Sequence, residues 1–153
     1  MRGALPAYTR RCRQGLCTAL LLMLFLPALT LGQLQPSSEV SRAIRKAISD
    51  QIAAFHRDDA PAAFALAAPS IRRMFGTAQR FLAMVKADYG PVYRQVKYSF
   101  VKLTVEDGRT VQQMLFFNAE DGAVFGFYLM ERQPEGGWRI AGVVLRSLRA
   151  EST

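Results

Sequence analysis

Three side chains of the acid–base kind stand close together in this sequence. They are His56, Asp58 and Asp59, in the stretch Gln51-Ile52-Ala53-Ala54-Phe55-His56-Arg57-Asp58-Asp59-Ala60-Pro61. An imidazole beside a carboxylate can move a proton while the carboxylate orients the ring. The same residues also suit a helix boundary. Aspartate accepts hydrogen bonds from the exposed amides of a new helix, proline is tolerated in its first turn, and a histidine interacts well with a helix C-terminus. Capping and turn formation is the reading this spacing favours for both aspartates. A ligand contact by His56, Asp58 and Asp59, joined by Tyr89 and Tyr93, comes second. Catalysis by His56 with Asp58 or Asp59 comes third.

The rest of the inventory excludes more than it offers. His56 is the only histidine, and both cysteines, Cys12 and Cys17, lie near the N-terminus. Arg2, Arg10, Arg11 and Arg13 precede an apolar run from Leu16 to Leu31 that is broken by Thr18, Pro27 and Thr30. A basic region, an apolar run and small residues at the exit make a secretory signal peptide, with Thr30 and Gly32 at positions −3 and −1 of a cut before Gln33. An uncleaved anchor would need about 20 apolar residues to span a bilayer. Pro27 and the polar lead-in at 33–38 favour cleavage, so no membrane association is expected afterwards. Removing 1–32 takes away four arginines and lowers the formal net charge from +8 to +4. Both cysteines go with it. The exported domain, expected to be periplasmic or secreted, then has no disulfide, thiol chemistry or Cys/His zinc site, and no metal or cofactor is expected.

One domain is expected over 39–150, since a chain of 153 residues is too short for two ordinary ones. Ser37 or Ser38 can cap a helix over 39–56, in which Val40, Ile44, Ala47, Ile48, Ile52 and Phe55 recur at three- and four-residue spacing. Asp58-Asp59 and Pro61 restart the chain in a short helix over 62–68. Pro69 opens a further turn to Phe75, which Gly76 can close. Thr77 caps a third helix, with Ala78, Phe81, Leu82, Val85 and Tyr89 on its apolar face, and Gly90-Pro91 ends it.

From Val92 the period changes to two. Strands are expected at about 92–106, 110–118, 123–132 and 137–148, joined by turn-forming residues into an antiparallel meander. The first strand changes face partway. Val96, Tyr98 and Phe100 share one side while Val101, Leu103 and Val105 share the other, which a β-bulge near Phe100 would produce. Gly136-Gly137 is a turn and not a phosphate loop, because no helix follows it.

The pairs Gln51-Ile52, Ala54-Phe55 and Asp58-Asp59 resemble a bacterial family known as domain of unknown function 4864. The likeness continues through Ala63-Phe64, Ala67-Ala68-Pro69, Ile71, Phe75-Gly76, Phe81, Met84-Val85 and Tyr89, and into the sheet at Val92-Tyr93-Arg94 and Gly137-Trp138-Arg139-Ile140. Members of that family often carry a cysteine after the glycine of the last strand. Val143 stands there in this chain, so no redox role transfers. Helices followed by a long bent strand and a meander also look like the cystatin-like cone of the nuclear-transport-factor-two-like superfamily. The resemblance implies an α+β fold, with N-terminal helices packed on a curved four-stranded antiparallel sheet. It implies no catalytic residues, and cones of that superfamily host enzymes, ligand-binding proteins and dimerisation modules alike.

Function is therefore expected to lie in binding, either of a small ligand in the cone or of a partner through the sheet. The alternative is a small cone-fold enzyme of dehydratase or isomerase type using His56 with Asp58 or Asp59. The aromatic load, interleaved with Arg94, Lys97 and Lys102, suits the core and interfaces of a curved sheet. Nucleic acid is not expected as a partner. The strands read as apolar on both faces, and helices can cover one of them. Met114, Phe116, Tyr128 and Met130 are assigned to the other, as the interface of a homodimer or of a heterodimer with a similar domain. For the leader, mass spectrometry of protein recovered after export should find an N-terminus at Gln33 or within a few residues of it. Intact Met1 on membrane-bound material would contradict this.

Overall fold

The computed structural model describes residues 36–118 and 122–148, which lie within one compact unit of the chain. The expected signal segment, the first residues of the lead-in, the turn at 119–121 and residues 149–153 fall outside the described residues. The element order is α1 (Ser38–His56), α2 (Ala60–Ala65), α3 (Pro69–Phe75), α4 (Ala78–Asp88), α5 (Gly90–Tyr93), β1 (Lys97–Glu106), β2 (Arg109–Asn118), β3 (Gly122–Arg132) and β4 (Trp138–Ser147). The four strands pair antiparallel in the order β1-β2-β3-β4. This is the α+β meander that the sequence implies.

Local signals place the helices. The Ser37 hydroxyl accepts from the Val40 amide at 3.2 Å and starts α1, with Glu39 in the first turn. Thr77 accepts from the Arg80 amide at 3.3 Å and starts α4. Gly76, at φ 71°, ends α3 in a backbone region that side chains with a Cβ rarely enter. One stretch departs from expectation. Residues 90–93 form the short helix α5 instead of the start of a strand, and β1 begins only at Lys97. Pro91, in the first turn, fixes a φ that favours a helical start, and the Tyr93 amide accordingly reaches back to the Tyr89 carbonyl at 2.9 Å.

The helical layer is held by one ring. Phe81 of α4 lies 6.1 Å from the Phe55 ring, 5.4 Å from Phe64 and 5.6 Å from Phe75, thereby meeting one aromatic from each of α1, α2 and α3. Buried Ala54, Ala60 and Ala63 let α1 and α2 approach closely. The layer is fastened to the sheet by main-chain bonds, Ala68 N–H to the Ile140 carbonyl at 2.8 Å and Ile140 N–H to the Leu66 carbonyl at 2.9 Å.

The sheet is bent by two irregularities. In β1, Phe100 pairs with Met114 and Lys102 with Gln113, leaving Val101 as the extra residue at the expected site. The buried Gln112 amide donates to the Lys102 carbonyl at 3.0 Å, beside this bulge. The shift keeps Leu103 packed on the core with Tyr98 and Phe100. In β4, Met130 pairs with Ile140 and Leu129 with Gly142, so Ala141 is extra. Simple alternation groups Ile140 with Val144. The bulge instead leaves Ile140 buried and Val143 and Leu145 against the core, with Val144 turned out at 57 % exposure.

The interface assignment requires correction. Met114, Phe116 and Tyr128 are fully buried, and Met130 nearly so, beneath the helices. Alternation divides each strand into two apolar sides but does not say which side the helices take. They take this one, where the Phe116 and Tyr128 rings lie 6.2 Å apart and Gly126 gives them room. A Cβ at Gly126 would come within 2.6 Å of the Phe116 ring. The open face belongs to the alternate residues, among them Leu115, Phe117, Phe125, Phe127, Leu129 and Val144.

Candidate ligand-binding site

The helices and the sheet do not close completely. Between them lies a cavity of about 180 Å³. Phe55 and Gln51 of α1, Ile71, Met74 and Phe75 of α3, and Met84 and Val85 of α4 form one side; Tyr128, Ile140 and Val143 form the sheet side. The lining is hydrocarbon, thioether and aromatic, with no carboxylate, imidazole, ammonium or guanidinium among its residues. Its polar groups are amides and phenols. Gln51 Nε2 donates to the Ala63 carbonyl at 3.1 Å, and the Tyr89 hydroxyl donates to the Val143 carbonyl at 3.1 Å, tying the end of α4 to β4. The Tyr128 hydroxyl is buried without a hydrogen-bond partner among the described residues. Burial pushes that phenol far above its ordinary pKa, so it stays a neutral donor.

Of the five expected ligand contacts, the structure brings only Tyr89 to the cavity wall. His56 ends α1 on the exposed surface and bonds to neither aspartate among the described residues. Asp58, Asp59 and Tyr93 lie outside the cavity lining as well. The residues that line the cavity from α3 and α4 carry no signal of polar chemistry in the sequence. Their only mark is the apolar spacing that makes a core.

The two aspartates do different things. Asp59 is a cap as expected, its Oδ1 accepting from the Ala62 amide at 3.0 Å at the start of α2. Asp58 is not a cap. It adopts φ 54°, a left-handed conformation that aspartate and asparagine tolerate better than most residues. Its Oδ1 accepts from Lys86 Nζ at 2.7 Å and from the Tyr93 hydroxyl at 2.6 Å. The Asp58 carboxylate thus clips the α1–α2 turn to α4 and α5. The Lys86 hydrogen bond, and then the Tyr93 one, holds Asp58 below the ordinary carboxylate pKa, and the Asp58 bond raises Lys86. Lys86 Nζ also stands 5.3 Å from the Tyr93 ring centroid. Tyr93 therefore serves the clip.

A depressed carboxylate contributes stability above its unfolded pKa and loses it as pH falls through the folded value. Asp58→Asn keeps the left-handed backbone and removes the charge. It should therefore be less stable than the parent to urea at pH 7. The difference should close as pH falls below the usual 3.8 and through the lowered folded value. Asp59→Ala should cost about 0.5–2 kcal/mol as a lost N-cap. An Asp58→Asn deficit that persists undiminished at low pH would contradict the clip.

No metal-holding cluster of three or more histidine, cysteine or acidic side chains occurs among the described residues. No helix among them is long and apolar enough to cross a membrane. The chain matches no curated protein. A family model described as Domain of unknown function (DUF4864) matches residues 37–153, which takes in every element from α1 to β4. The chain belongs to the DUF4864 family.

Proposed function

We propose that this chain is an exported, non-enzymatic binding domain that holds a small, largely apolar ligand between its helices and sheet. The observation that carries the reading is the apolar cavity of about 180 Å³ within the core. Close-packed interiors leave few voids larger than a water molecule, and a dry cavity of about 150 Å³ admits benzene. The basic-then-apolar leader at 1–32 supports a periplasmic or secreted location. The rival reading, a small enzyme using His56 with Asp58 or Asp59, loses ground because none of these side chains lines the cavity.

Benzene is a suitable probe. It should raise the thermal midpoint of the folded protein, by an amount that grows with the logarithm of its concentration above Kd, as any ligand of the native state does. Val143→Phe should fill the cavity, abolish that response and leave the midpoint equal or higher; Met84→Phe serves as a second filling variant. A parent protein whose midpoint ignores benzene would refute the reading.

The open face of the sheet supports an additional role in pairing. Leu115, Phe117, Phe125, Phe127, Leu129 and Val144 lie on the side away from the helices, with Phe117 and Leu129 each 37 % exposed. A contiguous apolar face of this kind is uncommon on a monomer, and burying about 800 Å² per copy in a two-fold dimer would cover it. Sedimentation at micromolar concentration should show a dimer, and Leu115→Glu with Phe127→Glu should give folded monomers. A parent that sediments as a monomer would exclude pairing through this face.

A further inference from the structure

The side chains that line the cavity carry nitrogen or oxygen at Gln51, Tyr89 and Tyr128 only, and these atoms are not equivalent. Gln51 Nε2 donates to the Ala63 carbonyl, and the Tyr89 hydroxyl donates to the Val143 carbonyl. The Tyr128 hydroxyl has no partner among the described residues, but packing seals it from any open space. Gln51 Oε1 is different. It accepts no hydrogen bond among the described residues, and packing does not seal it. Gln51 as a whole is only 3 % exposed, so the open space this oxygen meets is the cavity that the residue lines. Its orientation is fixed as well. A carbonyl can only accept, so the end of the amide that faces Ala63 must be the NH2, and the oxygen points away. Tying α1 to α2 accounts for the nitrogen of this buried glutamine. It leaves the oxygen without a task.

Deepening the proposed binding role, on which this inference rests, we infer that the ligand is a small neutral phenol. Its single ring fills the cavity, and its hydroxyl donates to Gln51 Oε1. An acceptor in the wall calls for a donor on the ligand. A ketone or ether would bury a second acceptor against the first and leave both unpaired. A charged ligand is disfavoured because the lining holds no charged side chain to meet it. The ring is matched by Phe55, Phe75 and Phe81 and by the thioethers of Met74 and Met84, which make favourable contacts with aromatic edges. A space of about 180 Å³ holds one such ring with its hydroxyl and little more. Water is a poorer occupant of the same oxygen, since the other side-chain polar atoms of the lining are engaged or sealed.

Phenol and toluene have nearly the same shape and differ in the donor, so titrating each into the folded protein at neutral pH isolates the hydroxyl. A hydroxyl buried without a partner would weaken binding by roughly five- to 150-fold. With Gln51 as its partner, phenol should bind no more than about fivefold more weakly than toluene. A larger deficit overturns the donor assignment while the apolar site stands. Gln51→Met, which keeps the length of the side chain and removes its amide, should lower phenol affinity about tenfold more than toluene affinity. Equal losses overturn the assignment. Should that variant fail to fold, the labelled parent decides the matter by nuclear magnetic resonance. The side-chain carbonyl carbon of Gln51 should then move further downfield with phenol than with toluene, and equal shifts overturn the assignment. Val143→Phe should abolish binding of both probes. Phenol binding that survives it lies elsewhere on the protein and also overturns the assignment. If neither probe binds the parent, this inference and the proposed function fall together.

Discussion

The helical layer depends on a single aromatic contact set. Phe81 touches a ring from each of the helices that precede α4, and two of those helices, α2 and α3, are too short to stand alone. Isolated helices of fewer than about 12 residues are marginal in water, so α2 and α3 hold their shape only as packed elements. The same ring lines the cavity together with Phe55 and Phe75. Cohesion of the layer and the shape of the cavity therefore rest on one side chain. The layer in turn has a fixed height above the sheet, because the main chain of residues 66–68 is bonded to Ile140. The Tyr89–Val143 bond repeats the fastening farther along β4. A layer held on both flanks over a bent sheet leaves a partly open space where neither surface is flat.

Much of this fold is legible in the sequence because its signals are local. Ser37 and Thr77 mark helix starts, Gly76 marks an end, and the periodicity of Ile44, Ile48, Ile52 and Phe55 gives the buried stripe of α1. Residues 90–93 were less legible, since a proline after glycine ends one helix and starts another with equal ease. The sheet shows where local reasoning stops. Alternation sorts Met114 from Leu115 and Tyr128 from Phe127, but both sets are apolar, and the choice of the covered side is made by helices distant in sequence. The bulge at Ala141 then reverses the parity of β4, which no residue type announces.

The candidate site divides along the same line. Asp59 is read correctly as a cap because its partner is three residues away. Asp58 is not, because its partners, Lys86 and Tyr93, come from α4 and α5. The histidine and the two aspartates are chemically conspicuous but lie outside the cavity lining. The cavity is built instead from Ile71, Met74, Phe75 and Met84, whose types say only that they avoid water. An absence of atoms between such side chains is a property of packing, and no motif encodes it.

The sheet has two free margins, β1 and β4, and each is treated differently. At β4 the margin is occupied where the segment between α2 and α3 lies parallel to it and pairs Ala67 with Ile140. At β1 the margin is kinked by the extra Val101 and bears the exposed cations Lys97 and Lys102. A margin that is capped, bent or charged is a poor template for an added strand. Growth of the sheet by strand addition, the route to ribbons and fibrils, is thereby discouraged at both ends. An apolar sheet face can then be carried without polymerisation along the strands.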